Sequence, residues 1–211
     1  MVKRTKGRKA KGRKAKGKLF KKTIYIFTEG ETESNYFRIL NRKYKSSTNV
    51  KVETKSVGKQ GKSLIQHAIG RKEKMTRNEK NNLGGIYVIF DKDDINNNDF
   101  QEALKLAKEN DIKIGFSNKC FEIWLLAHFE KPNGSHVGKK LFIRLGDYLG
   151  CKQYEKNHKS DIGLLHKLED FVSMAISNTK DMPEFSQKIV NEVPYTNIAQ
   201  VIQEVYNREI Y

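Results

Sequence analysis

Residues 84–91 read GGIYVIFD, and this stretch decides the fold class. The pair Gly84 and Gly85 introduces five apolar residues, Ile86 to Phe90, that are all β-branched or aromatic. A continuous run of this kind is typical of a strand that is buried on both faces. Since such strands occur mainly in parallel sheets, the run indicates a sheet that helices cover on both sides.

Similar but shorter patterns lie on either side of this run. Three further strands are predicted over 24–27, 52–57 and 112–116. Between the strands, apolar residues fall at helical spacing over 32–42, 64–69 and 100–107. Strands that alternate with helices predict an α/β fold with a mainly parallel sheet and flanking helices.

After Ser117 the pattern becomes helical. Residues 121–129 are apolar nearly all round, which predicts a buried helix, and amphipathic stripes follow over 164–175 and 198–205. We therefore expect an α/β core over residues 23–118 and an all-helical extension over 119–211 that packs on it. The longest apolar stretch is too short to span a bilayer, and two cysteines make no disulfide framework, so we expect a cytoplasmic protein without membrane contact.

The positive charge is concentrated at the N-terminus. The 211 residues carry a formal charge of +16, and residues 1–22 hold twelve Lys or Arg and no acid, which leaves 29 basic against 25 acidic residues elsewhere. Alternating Gly and Lys cannot bury a face, so residues 1–22 are predicted to be a disordered basic arm. Lys9 and Lys14 are candidate contacts to nucleic-acid phosphates. The alternative is a solubilising tail without a specific partner.

Acidic residues follow two of the predicted strands. The first strand ends in Thr28-Glu29-Gly30 and the third in Asp91-Lys92-Asp93. In a parallel sheet the carboxyl ends of the strands lie along one edge, where ligands bind. Asp91 and Asp93 are two apart in an extended segment and suit one hard cation, with Glu29 completing the oxygen site. We therefore predict a Mg²⁺ or Mn²⁺ site for phosphoryl-ester chemistry at this edge.

Each acidic motif also has a purely structural interpretation. Glu29, Glu31 or Thr32 can cap the helix that follows the first strand. Asp-x-Asp is common in loops, and the run Asn96 to Asn98 is typical of a turn. The placement of acids at two strand ends together is what favours the metal site.

With these motifs the chain resembles the Toprim domain, an α/β framework in which one strand ends in Glu-Gly and a second in Asp-x-Asp. More narrowly, it is similar to the RloB family, also called RloB-like or AbiLii-related. Lys119 departs from the family, which usually has Pro at this point. The resemblance is carried by TEGETESNYF at 28–37, FDKDD at 90–94 and SNKCFEIWLLAHF at 117–129, with weaker matches at Tyr154, at Lys156 and in PYTNI at 194–198.

The resemblance implies a Toprim-like nuclease of bacterial anti-phage defence, often encoded beside an AAA-type ATPase partner. By motif, Glu29 corresponds to the acid/base or metal ligand, and Asp91 and Asp93 correspond to the Mg²⁺ ligands. We add Glu122 as a candidate catalytic residue because it follows the end of the fourth strand; the alternative is a charge that complements the helix dipole. Asn118 is predicted to cap that helix rather than to orient the site.

The segment from Ser56 to Ser63 resembles a P-loop, since it follows a strand and opens a helix. The P-loop pattern requires Gly where Ser56 stands, so ATP binding is not predicted. Lys59 and Lys62, near the helix N-terminus, are instead predicted to contact nucleic-acid phosphates.

Two functions from different classes follow. The first is a metal-dependent nuclease that cuts DNA or RNA within a phage-defence system. The alternative is a non-catalytic nucleic-acid-binding or regulatory subunit of an AAA-type ATPase partner. A large exposed apolar patch on the C-terminal helices would favour this alternative. The acidic triad Glu29, Asp91 and Asp93 argues for the nuclease, since a binding module gains nothing from anions that face phosphates.

Overall fold

A computed structural model describes residues 21–45, 47–48, 50–92, 95–151, 154, 158, 161–207 and 211, with the backbone alone at Val190. Three of the predicted site residues, Lys9, Lys14 and Asp93, lie outside this part of the chain. Most of the predicted basic arm lies outside it as well. Lys22, which was assigned to the arm, is the first residue of the first strand.

The predicted α/β fold is confirmed, since the described residues form a five-stranded, mostly parallel sheet. Its order is β2-β1-β3-β4-β5, and β5 alone among these strands is antiparallel to its neighbour. The predicted strand at 86–90 lies in β3, the central strand of the sheet. The strands are β1 (Lys22–Thr28), β2 (Val50–Ser56), β3 (Leu83–Asp91), β4 (Lys113–Asn118) and β5 (Tyr195–Thr196).

Helices connect the parallel strands and form the C-terminal region. The crossover helices are α1 (Glu31–Tyr44), α2 (Gly61–Glu73), α3 (Arg77–Asn81) and α4 (Asn97–Glu109). The later helices are α5 (Glu122–Ala127), α6 (Lys139–Leu149), α7 (Ile162–His166), α8 (Val172–Thr179), a 3₁₀ turn (Gln187–Asn191) and α9 (Ile198–Tyr206). No α-helix within the described ranges is long and apolar enough to cross a membrane.

The sheet is covered on both faces, as the apolar run of β3 predicted. Successive side chains of a strand point to opposite faces, so the two residue sets of β1 enter two different cores. Ile24 and Ile26 pack with α1, α5 and α9, whereas Tyr25 and Phe27 pack with α2 and α4. The C-terminal helices therefore share a core with the sheet.

The prediction of an all-helical C-terminal region is wrong at one point. Tyr195 and Thr196 form β5, which pairs with Asn118 and Ser117 at the end of β4. A strand of two residues is too short to produce a periodic pattern, so the sequence gives no sign of it. The Val193–Pro194 peptide just before β5 and the Asn118–Lys119 peptide just after β4 are both cis.

The side chain of Asn197 continues the edge pairing that β5 begins. Its Oδ1 accepts a hydrogen bond from the backbone N–H of Phe116 at 2.7 Å, and its Nδ2 donates to the carbonyl oxygen of Ile114 at 2.9 Å. These are the bonds that another strand would make to β4. Because Asn197 is buried, its amide satisfies two backbone groups that water does not reach.

His128, at the end of α5, is held in its neutral form. Its Nδ1 donates to the carbonyl oxygen of Trp124 at 3.0 Å, so its Nε2 accepts from the hydroxyl of Tyr36 at 2.9 Å. The side chain is completely buried, and this burial lowers its pKa to about 4. The ring thus ties α5 to α1 without carrying a charge.

The state of His128 predicts a loss of stability in acid. The unfolded chain protonates this residue near pH 6.5, so stability falls as the pH drops from about 6.5 to 4, by up to about 1.4 kcal/mol per pH unit. His128→Gln is expected to remove this contribution from the pH slope of the unfolding free energy, measured with urea at several pH values. Identical slopes for the variant and the natural chain would contradict the assignment.

Candidate metal centre

The ends of β1 and β3 bring Glu29 and Asp91 together, as predicted. The backbone N–H of Glu29 donates to the carbonyl oxygen of Ile89 at 3.0 Å, which continues the parallel pairing past the end of β1. The backbone N–H of Asp91 lies 3.4 Å from Oε2 of Glu29. Residues from two neighbouring strands therefore share one point on the carboxyl edge of the sheet.

Asp91 is the most constrained of these acids. Its side chain is only 8% exposed, and its Oδ2 accepts a hydrogen bond from the backbone N–H of Phe121 at 3.0 Å. Its Oδ1 is buried and has no hydrogen-bond partner among the described residues. Burial raises the pKa of Asp91 well above its ordinary value, and the negative charges of Glu33 and Glu122 raise it further.

Glu122 lies at the start of α5 and is 2% exposed. Its charge raises the pKa of Asp91, so the two carboxylates are close neighbours, as expected for a shared site. Its position in the first turn also agrees with the helix-dipole alternative. Asn118 does not cap this helix: the N-cap residue is Phe121, and the Asn118 amide donates to the carbonyl oxygen of Glu192 at 2.8 Å.

Glu33 is a buried acid that was not among the predicted site residues. It lies in the first turn of α1 and is 5% exposed. A Cβ atom at Gly30 would lie 2.8 Å from Oε2 of Glu33, so the absence of a side chain at Gly30 makes room for this carboxylate. The available signal was its place in the first turn of the helix that follows the Thr28-Glu29-Gly30 motif, close in sequence to the predicted ligand Glu29. We call Glu29, Glu33, Asp91 and Glu122 the acidic cluster.

Tyr154 lies beside the acidic cluster. Its side chain is 1% exposed, and this burial raises the pKa of its hydroxyl. The negative charges of Glu122 and Glu33 raise that pKa further. Its hydroxyl oxygen has no hydrogen-bond partner within the described part of the chain. The weak family match at Tyr154 therefore lies at the same place as the acids.

The structural alternative for the first acidic motif holds at Glu31 but not at Glu29 or Thr32. The N-cap residue of α1 is Gly30, which has no side chain, so neither Glu29 nor Thr32 holds that position. Glu31 is exposed in the first turn, where its charge complements the helix dipole. The alternative therefore applies to Glu31, whereas it does not account for the burial of Glu33 and Glu122 beside Asp91.

The donor set fits a hard divalent cation. Carboxylate oxygens are the protein ligands that Mg²⁺ and Mn²⁺ prefer, and the unpaired Oδ1 of Asp91 is a buried acceptor that a cation would satisfy. Carboxyl groups in close contact cannot all ionise unless a positive charge, such as that of a bound cation, compensates their repulsion. Within the described ranges no group of three His, Cys, Asp or Glu side chains is already arranged around a metal position. Asp93, the second member of the predicted pair, lies outside those ranges.

The two predicted phosphate-binding lysines have different surroundings. Lys59 is exposed in the loop between β2 and α2, and the backbone N–H of the preceding Gly58 donates to the carbonyl oxygen of Glu29 at 3.0 Å. That loop therefore borders the acidic cluster. Lys62, in the first turn of α2, forms an exposed ion pair with Glu102 at 2.7 Å.

Comparison with known proteins identifies a family but no individual relative. No curated protein and no solved structure matches the chain. The family model described as RloB-like protein matches residues 24–205, which include most of β1, all of β2 to β5 and all four residues of the acidic cluster. Because that match covers most of the chain, the protein belongs to the RloB-like family.

Proposed function

We propose that this chain is a metal-dependent nuclease with a Toprim-like core that acts in bacterial anti-phage defence. The observation that carries the proposal is the buried Oδ1 of Asp91, unpaired within the described residues and surrounded by the charges of Glu33, Glu122 and Glu29. A structural core gains no stability from such an arrangement, because buried like charges repel and are poorly solvated. A bound cation would compensate these negative charges and could at the same time bind phosphate oxygens of a substrate.

The protein side chains have separable roles in this proposal. Asp91 and Glu29 would hold Mg²⁺ or Mn²⁺, and Asp93 would join them by the family resemblance. The metal would supply charge compensation for a phosphate oxygen and activation of water. The Phe121 N–H fixes the orientation of the Asp91 carboxylate, which leaves its second oxygen directed to the site.

Glu33 and Glu122 are the candidates for proton transfer or for further metal contacts. Both are buried beside Asp91, and both come from the first turns of helices that pack on the sheet. A carboxylate held in this way keeps its position without a flexible loop, which favours precise placement of a reacting group. The proposal covers both DNA and RNA, since a metal held by the acidic cluster would contact only the phosphodiester.

Calorimetric titration with Mn²⁺ tests the proposal. The natural chain is expected to bind Mn²⁺, and Glu122→Gln is expected to bind it about ten- to a hundredfold more weakly. Glu130→Gln is the matched control, because Glu130 lies near the end of the same helical segment but pairs with Arg144 instead. Equal affinities for the natural chain and the Glu122 variant would remove Glu122 from the site, and no binding at all would contradict the proposal.

One observation supports the alternative of a regulatory subunit with an AAA-type ATPase partner. The rings of Phe129 and Tyr148 stack with centroids 4.6 Å apart, and Phe171 lies 5.8 Å from Phe129. Tyr148 and Phe171 are exposed, and we call these three rings the aromatic patch. Further exposed apolar side chains on α6, α7 and α8 are Ile143, Ile162 and Met174. Exposed apolar surface of this kind marks protein interaction sites.

A phage-protection assay separates the two functions. If the chain is a nuclease, Asp91→Asn abolishes protection of cells that express the whole system. If it is only a docking subunit, Tyr148→Ala/Phe171→Ala abolishes protection, whereas Asp91→Asn leaves it intact. Loss of protection with both variants is expected for a nuclease that is recruited through the aromatic patch.

A further inference from the structure

A cleft of about 840 Å³ opens at the amino edge of the sheet, at the opposite end of β1 from the acidic cluster. It lies between the last turn of α1, the first residues of β2 and the end of α9. The lining is apolar at Val52 and Tyr206 and cationic at Lys21, Arg42, Lys45 and Lys51. We call it the basic cleft.

The charge of the basic cleft is largely uncompensated. Lys51 pairs with Glu53 at 2.6 Å, but Lys21, Arg42 and Lys45 form no ion pair with any described residue. No acidic side chain from the described part of the chain lines the cleft. The body of the protein carries few more bases than acids, so three unpaired cations around one cleft are a local concentration of charge.

Lys21 connects this cleft to the basic arm. Its Nζ donates to the carbonyl oxygen of Thr48 at 2.7 Å, which holds the side chain against the cleft. The preceding twenty residues contain ten further Lys or Arg and no acid. The arm therefore joins the folded body at the cleft, and a polyanion bound there is also within reach of the arm.

We propose that the basic cleft binds the phosphodiester backbone of a nucleic-acid strand at a position remote from the acidic cluster. Cations at the rim suit phosphates, and the apolar and aromatic lining suits the faces of bases or sugars. The proposal rests on the proposed function only for its choice of nucleic acid as the ligand. The basic cleft would add a second contact to the nucleic acid, separate from the contacts at the acidic cluster and at Lys59.

The position of the cleft predicts how a bound strand lies on the protein. β1 separates Lys21 from Glu29, and a strand of this length spans about 25 Å. That distance corresponds to roughly seven nucleotides of a stacked strand. A nucleic acid that occupies both sites therefore runs along the α1 side of the sheet, with its reacting phosphate far from the anchoring ones.

The test measures binding rather than cleavage. Full-length Asp91→Asn protein in EDTA is titrated into fluorescein-labelled single strands of about 30 nucleotides, as RNA and as DNA, at several salt concentrations. The double substitution Arg42→Gln/Lys45→Gln, made in the same background, is expected to lower the slope of log K against log salt by about 1.5. The affinity near physiological salt is expected to fall by about tenfold.

A variant with the same loss of charge provides the control. Lys139 and Lys140 are exposed at the start of α6, and Lys139→Gln/Lys140→Gln is expected to leave the slope unchanged. A reduced slope for the cleft variant with either RNA or DNA supports the proposal. It is overturned if the cleft variant and the control bind alike, or if a free mononucleotide at low micromolar concentration displaces the labelled strand. Because the experiment measures binding and not cleavage, a negative result for the basic cleft does not contradict the nuclease proposal. In the same way, a natural chain that shows no nuclease activity does not contradict binding at the basic cleft.

Discussion

Replacing Asp91 by asparagine is expected to raise the melting temperature of the metal-free protein and to abolish its stabilisation by Mn²⁺. Asparagine keeps the acceptor for the Phe121 N–H but removes a buried charge that Glu33 and Glu122 repel. A gain of about 1 kcal/mol corresponds to about 2–4 °C for a chain of this size. Natural protein saturated with Mn²⁺ at about 100 times its Kd is expected to gain about 2.7 kcal/mol, which the variant lacks.

The cleavage assay gives the larger effect of the same substitution. Loss of a principal metal ligand is expected to lower the rate by at least about 10²–10³-fold. Glu31→Gln is the matched control, since Glu31 belongs to the same acidic segment as Glu29 but is exposed. It is expected to keep both the Mn²⁺ stabilisation and the activity. An Asp91→Asn protein that is still stabilised by Mn²⁺ would exclude Asp91 as a ligand.

Asn197→Ala is expected to destabilise the protein by about 2–5 kcal/mol. The substitution leaves the N–H of Phe116 and the carbonyl oxygen of Ile114 without their side-chain partners, and an unsatisfied buried polar group costs about 1–3 kcal/mol. Urea unfolding followed by circular dichroism measures the loss. Gln200→Ala, on the exposed side of α9 three residues later, is the control and is expected to change stability by less than about 0.5 kcal/mol.

Asn197→Asp separates the two hydrogen bonds. Aspartate retains the acceptor for the Phe116 N–H but has no donor for the carbonyl oxygen of Ile114. It also places a carboxylate opposite that carbonyl oxygen. We therefore expect Asn197→Asp to be at least as unstable as Asn197→Ala at neutral pH and to recover part of the loss in acid. Wild-type stability in both variants would show that the side-chain bonds are dispensable.

The sheet was predictable from sequence because its central strand is strongly patterned. The continuous apolar run of β3 indicates a strand that is buried on both faces. Because helices alternate with the strands along the chain, the strands are connected by crossovers and run parallel. β5 was not predictable, since two residues carry no period and their pairing depends on β4. The structural role of Asn197 was not predictable either, although it lies in the PYTNI match, because that role depends on backbone groups 81 and 83 residues away in sequence.

The acidic cluster was predictable only in part, because one of its members depends on tertiary packing and not on a local sequence pattern. Glu29 and Asp91 follow strands, so topology alone brings them to one edge. Glu122 was placed correctly on the same edge by its position after β4. Glu33 was missed because a helix that begins with acids ordinarily exposes them, whereas tertiary packing buries this one.

The late position of β5 in the chain has a consequence during synthesis on the ribosome. The edge of β4 is complete only after Asn197 has been translated, about 80 residues after Asn118. At translation rates of 5–20 residues per second, the nascent chain therefore exposes an open strand edge for about 4–16 seconds. During that interval the edge is free to pair with other chains. We therefore expect the yield in the cell to depend on the speed of translation between Asn118 and Asn197 and on chaperones that cover the unfinished sheet.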